Sequence, residues 1–448
     1  MILWLVLLPF AAALVILPVR KVPLIAAPIA AATLVVAAIL AVTAREFSPI
    51  VVLGRVLSLS SQERISLALS WLLAAVTILC TYRTSQQTLS YSLALGAIGL
   101  LTAAVMVRNM AIAALLLELG AILGAMLLPS DSPGAPLGGA RSLALFVISG
   151  AMLLLASWAM ETHTLSLEGQ SLMRASLVSL VIGCGIVLAA GPLGIWLPPV
   201  FRHGSPLAAV LLSVILPTVV LLRLTDAAVS LGWSGDITPW TRLLFGGGVA
   251  TCLFGGIGAI ARSSARRITA YAAIADMGII LLAMGMGREM LKSASLHTIY
   301  RALAIVVLSV ATQVLNRCLG NDDVQHLQGA LHYAPMATIG MIIAGLSLAG
   351  WPPLTGFTSR FTIYRALADE HPAWTTALVI ASLGPAWAYM RCALAAISVA
   401  TLPGARRESL WSALWLAPLC LLLVALPYAL ALLPPEWMAM LLNEGVGG

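Results

Sequence analysis

Apolar runs of about twenty residues follow one another from Met1 to Leu433, each long enough to cross a hydrocarbon core of roughly 30 Å as a helix. No other feature restricts the fold so strongly. In lipid every backbone N–H and C=O must find a partner inside the protein, so these runs read as helices rather than strands. Composition points the same way. Of 448 residues, 61% are hydrophobic and 9% charged, whereas a water-facing domain carries about 25% charged residues. The expected fold is an all-α integral membrane protein with about fourteen transmembrane helices. The first run, 2–19, is followed by Arg20-Lys21 and lacks a basic stretch before it. It therefore reads as a permanent span and not as a signal peptide.

Two runs are interrupted at mid-depth. One reads Gly191-Pro192-Leu193-Gly194-Ile195-Trp196-Leu197-Pro198-Pro199, the other Gly350-Trp351-Pro352-Pro353-Leu354-Thr355-Gly356-Phe357. Proline removes a helix N–H and clashes with the preceding turn, so Pro192, Pro198 and Pro199 predict one discontinuous helix at about 191–199, and Pro352 and Pro353 a second at about 350–357. Broken helices in both halves of a chain point to inverted repeats of the transporter kind; the alternative is a loop between two short helices. The expected organisation is three helices over 1–87, a first five-helix repeat over 88–224, a second inverted repeat over 240–399, and a last helix with its tail over 400–448.

Ionisable residues at membrane depth are functional candidates by default. Glu118 stands in Ala111–Gly120 with no other charge near it in sequence. Asp276, Arg301, Arg360 and Arg391 also lie within or near apolar runs. These five are the candidates for a proton or ion pathway. The competing expectation is structural, an acid paired with an arginine to lock two helices. Of the 24 basic residues only Lys21 and Lys292 are lysines, and neither falls mid-membrane. A buried lysine can shed its proton, whereas arginine stays charged, so a relay would need carboxylates, histidines and water. The span boundaries put nearly all six histidines in loops or at interfaces.

The six cysteines are far apart, with no CxxC or Cys/His spacing, so neither disulfides nor a metal site is expected. There is no dinucleotide fingerprint, iron–sulfur cysteine set or haem motif, so no cofactor is expected and any redox or hydrolytic chemistry would belong to partner subunits. The net charge of +7 suits anionic lipid and does not argue for nucleic acid. Arg20-Lys21, Arg262/Arg266/Arg267 and Arg406-Arg407 fall on one side in a fourteen-span count. By the positive-inside rule that side is cytoplasmic, and both termini face outward from a bacterial cytoplasmic membrane.

Taken in order, the motifs resemble the antiporter-like subunits of respiratory complex I, a family shared with multisubunit sodium/proton antiporters, membrane-bound hydrogenases and bicarbonate-uptake complexes. Glu118 resembles the family's fifth-helix acid. Pro192–Pro199 looks like its seventh-helix break, Ser205–Leu211 like the segment that follows, Arg266–Gly278 like its tenth-helix motif, and Gly350–Arg360 like its twelfth-helix signature. The resemblance implies two inverted five-helix repeats, other membrane subunits as partners including homologous ones, lipids around them, and H+ or Na+ as the transported ion. It also exposes departures. The family's channel lysines or histidines fall near Val187, at Pro217 and near Ile305. The His and Asp of the seventh-helix motif are Gly194 and Pro199, and the twelfth-helix Lys or Glu is Arg360. The expected function is that of an antiporter-like membrane-arm subunit whose own channel is impaired. A purely structural or coupling subunit, or the membrane subunit of a bicarbonate-uptake complex, is the alternative.

Overall fold

Helices account for nearly all regular structure, as the backbone constraint demands. The computed structural model describes residues 2–43, 49–52, 54–83, 89–128, 134–165, 169–230, 239–398 and 404–431. The tail at 432–448 lies outside the described residues. Among the described residues nine helices are long and apolar enough to cross a membrane, and five shorter apolar helices stand with them. The chain is an all-α, multi-pass membrane protein.

Two units divide it. The first comprises Met1–Ala189 with His203–Gly232, the second Ala190–Arg202 with Trp233–Gly448. In the first unit run α1 (Trp4–Val19), α2 (Pro23–Thr43), a small hairpin of β1 (Ile50–Val52) and β2 (Arg55–Leu57), α3 (Ser61–Thr81), α4 (Ser90–Met106), α5 (Met110–Ala125), α6 (Ala135–Leu165) and α7 (Gly169–Val187). After α8 (Leu197–His203), which groups almost wholly with the second unit, come α9 (Pro206–Val210) and α10 (Leu216–Ser230). Residues Leu211–Ile215 join α9 to α10 as a π turn, with the Leu216 N–H reaching the Leu211 carbonyl. The cause lies just beyond. Pro217 has no N–H and its ring would strike the carbonyl four residues back, so the helix widens ahead of it.

The second unit holds α11 (Pro239–Ile260), α12 (Ala265–Gly285), α13 (Leu291–Leu319), α14 (Ala330–Tyr333), α15 (Pro335–Ala349), α16 (Thr355–Glu370), α17 (Pro372–Ile397) and α18 (Leu410–Ala431). Helices α11 and α12 approach backbone to backbone. A Cβ at Gly248 would lie 2.5 Å from the Leu282 nitrogen, and one at Gly278 2.6 Å from that of Cys252. Small residues let membrane helices pack this closely, where dispersion rather than water expulsion drives association.

Polar ties close the helix ends. Ser60 and Glu63 form a capping box on α3. The Glu408 carboxylate accepts from the Met336 and Ala337 N–H groups, at 2.9 and 3.3 Å, and so caps α15 from outside its own chain segment. Asp322 Oδ2 accepts from Ser264 Oγ at 2.6 Å, from the Arg266 N–H at 3.1 Å and from Arg266 Nε at 3.2 Å, tying the start of α12 to the loop after α13. Burial pushes the Asp322 carboxyl up, but Arg266 and these hydrogen bonds outweigh it and hold it below its ordinary 3.8. A carboxyl depressed on folding contributes stability that is complete above its unfolded value and is lost as pH falls through the folded one. Asp322→Asn should therefore cost about 1–3 kcal/mol at neutral pH. In thermal unfolding of the detergent-solubilised protein, the gap between variant and wild type should hold down to about pH 4 and close below it; a gap that stays unchanged well below that pH counts against the ion pair.

Candidate functional site

The break in the second half is built around α15. That helix ends at Ala349, Gly350 follows in the left-handed region with φ +78°, and α16 starts at Thr355. Only glycine fits here, because a Cβ on Gly350 would also lie 2.6 Å from Cδ of Arg360. The turn between is stapled by Ser347 Oγ, which lies 2.7 Å from Thr355 Oγ1 and accepts from the Gly356 N–H at 3.2 Å. Pro352 and Pro353 lie in this turn, where sequence placed them.

Breaking a helix in an apolar interior leaves its last carbonyls without partners. Arg360, on the first turns of α16, reaches back to supply them. Its Nη2 donates to Leu348 O at 2.6 Å, and its Nη1 to Ala349 O at 3.0 Å and Ser382 Oγ at 3.1 Å. A cation at a helix C-terminus also opposes the partial negative charge there. The same Nη2 donates to Asp276 Oδ1 at 2.5 Å. Asp276, on α12, is 1% exposed, and its second oxygen lies 3.7 Å from Arg301 Nε of α13. Arg301 Nη2 donates in turn to Ala273 O at 3.3 Å. Three of the five sequence candidates thus converge on one point, one carboxylate against two guanidinium groups.

A fourth member was missed in sequence. His297, one helical turn before Arg301, is 1% exposed, with Nε2 3.0 Å from Asp276 Oδ1 and Nδ1 2.8 Å from Ser359 Oγ. The carboxylate only accepts, so Nε2 carries the proton, and in the neutral ring Nδ1 accepts from the Ser359 hydroxyl. The signal was available. His297 and Arg301 are four apart in an apolar run and share a face. Reading most histidines as loop residues passed over the one that is buried. At Ile305, where the resemblance put a channel lysine, the side chain is apolar and fully buried. The cation of α13 that reaches the site is Arg301, one turn earlier.

Arg391 stands elsewhere. From α17 its Nη2 donates to Ile260 O and Arg262 O, both at 3.0 Å, and so caps the end of α11. Arg223 repeats the device in the first unit, where its Nη1 donates to Val105 O near the end of α4 at 3.1 Å. It belongs to a charged group that sequence did not single out, in which Arg108 bridges buried Glu63 at 3.2 Å and Asp226 at 2.7 Å. Glu118 is in none of these groups. It is half-buried on α5 against α6, where a Cβ on Gly150 would collide with its carboxylate. Among the described residues no hydrogen-bond or ion-pair partner reaches that carboxylate.

The first break differs. Gly191 donates its N–H to Thr251 Oγ1 at 3.1 Å, and a Cβ there would strike the Phe254 ring. Pro192 lies in the break, but Pro198 and Pro199 open α8, in a first turn whose N–H groups have no helical partners. The channel positions at Val187 and Pro217 are buried among apolar groups. The six cysteines are buried free thiols.

Residues 137–384 match the family described as NADH:quinone oxidoreductase/Mrp antiporter, TM. NADH-quinone oxidoreductase subunit N of Desulforamulus reducens is 28% identical over 228 residues, covering 50% of this chain and 47% of that protein. Subunit N 1 of Solidesulfovibrio magneticus is 31% identical over 240 residues, 51% of this chain and 50% of that protein. The match thus spans about half the length of these curated relatives. The fold is similar to a chain of an archaeal membrane-bound sulfane sulfur reductase, with TM-score 0.81, 19% identity, and 99% and 96% of the two chains covered. It is also similar to a chain of Thermus thermophilus respiratory complex I, with TM-score 0.77, 19% identity, and 95% and 98% covered.

Replacing Arg360 by lysine keeps the charge but cannot reach the carboxylate, two carbonyls and a hydroxyl at once. Arg360→Lys should lower stability by about 1–3 kcal/mol. Asp276→Asn, which leaves two buried cations without their anion, should cost about 3–5 kcal/mol. Thermal unfolding in detergent checks both; an Arg360→Lys protein as stable as wild type would discard the capping role.

Proposed function

The chain belongs to the membrane-subunit family shared by NADH:quinone oxidoreductases and Mrp antiporters, and from that premise we propose that it is an antiporter-like subunit of a multisubunit, proton- or sodium-translocating assembly. In this reading its second half serves as a fixed-charge support and not as a proton relay. Its partners are other membrane subunits, homologous ones among them. It sits in a bacterial cytoplasmic membrane with both termini outward, and it contributes no redox or hydrolytic centre of its own.

One observation carries the reading. The anion at the centre of the second half, Asp276, is held by two arginines, and arginine does not give up its proton in a protein. A relay needs groups that load and unload. Here the two guanidinium cations are permanent and one of them also closes a broken helix, while both ring nitrogens of His297, the remaining base, are engaged by Asp276 and Ser359. The apolar groups at Val187, Pro217 and Ile305 support the same reading. Glu118 favours the second reading, in which the first half keeps a titratable carboxylate at membrane depth and the subunit still translocates.

Glu118→Gln separates the two. In membranes or vesicles containing the whole complex, the variant should assemble and keep its ion-to-turnover ratio close to wild type. Normal assembly with lost pumping would instead establish Glu118 as a translocating residue and defeat the fixed-charge proposal for the subunit as a whole.

A further inference from the structure

Where α13 ends and α18 begins, one rim of the second unit carries three arginines with no ion-pair partner among the described residues. Arg317, in the last turn of α13, is exposed, as are Arg406 and Arg407 in the segment leading into α18. The backbone brings them together, since the Arg406 N–H donates to Cys318 O at 2.8 Å. Glu408, the acid of this segment, is taken up by the N-terminus of α15. Among the described residues none accepts a hydrogen bond from these three guanidinium groups.

The surface beside them is apolar. Leu410 is 90% exposed, Leu414 66% and Leu421 67%. At spacings of four and seven they fall on one face of α18, so an exposed hydrocarbon track runs from the charged rim towards the membrane interior. An anion-binding rim continued by such a track has the two-part chemistry of a phospholipid. A free phosphate would use only the first part. Clustered arginines next to a membrane helix attract anionic headgroups, and their planar donor forks suit phosphate oxygens.

We infer that this rim is a binding site for an anionic phospholipid, its headgroup held by Arg317, Arg406 and Arg407 and an acyl chain lying along Leu410, Leu414 and Leu421. Occupancy does not depend on whether the subunit translocates ions.

The test uses the full-length chain, purified in detergent and stripped of lipid, then given phosphatidylglycerol, phosphatidylcholine or inorganic phosphate. Lipid retention is read by native mass spectrometry and stabilisation by thermal unfolding. Wild type should retain phosphatidylglycerol at least about tenfold over phosphatidylcholine, and each arginine replaced by glutamine should weaken retention about fivefold. The triple variant R317K/R406K/R407K keeps the charge and should keep most of the preference. A second variant, L414S/L421S, leaves the arginines in place and should lose the advantage of long-chain over short-chain phosphatidylglycerol. Three outcomes overturn the site. They are equal preference in the triple glutamine variant, no headgroup preference in wild type, and stabilisation by inorganic phosphate equal to that by lipid. The last would reassign the rim to a free anion.

Discussion

A helix interrupted inside an apolar interior must close its own backbone, and much of the second unit follows from how this is done. Hydrocarbon offers no hydrogen bonds to the carbonyls of Leu348 and Ala349. The guanidinium of Arg360 supplies them, and a buried guanidinium in turn demands an anion. Asp276 meets that demand from α12, and Arg301 and His297 of α13 then meet the demands of Asp276. The break, the ion pair and the packing of α12, α13 and α16 are one solution to one constraint. Gly350 and Gly356 complete it by leaving room for the arginine and for the Ser347 carbonyl.

The same economy explains the scarcity of lysine. Arg223, Arg360 and Arg391 each cap the end of a helix other than their own. A guanidinium reaches several acceptors from one stem, whereas an ammonium is a compact, strongly hydrated charge. These residues read as intramembrane charge in sequence. In the structure they read as backbone chemistry, with the ion pair of Arg360 added to it.

The fold was legible because its cause is local. Each apolar run is long enough to span, and each proline cluster lacks the donors a helix needs. The refinements are local too. Pro198 and Pro199 open a helix because proline is tolerated in a first turn, and the π turn before Pro217 follows from that residue's missing N–H. The site was legible in its members and not in its pairing. Asp276, Arg301 and Arg360 stood out as charges in apolar runs, but which arginine meets which acid depends on three helices packing, which no spacing encodes. Glu118 was equally visible, and its surroundings, a glycine and no cation among the described residues, were not. His297 was passed over because its type suggested a surface, although its spacing from Arg301 put both on one face.

The two ends of α15 are closed by opposite charges, Glu408 at its start and Arg360 at its finish. Both caps come later in the chain than the helix they close. A ribosome therefore delivers α15 to the membrane before either cap exists. Its carbonyl end stays open until α16 is made, and its amide end until the segment before α18 emerges. The half-helix at the heart of the second unit can be finished only once the segment leading into α18 has been made, so this centre closes late, after α16 and α17 are already in place.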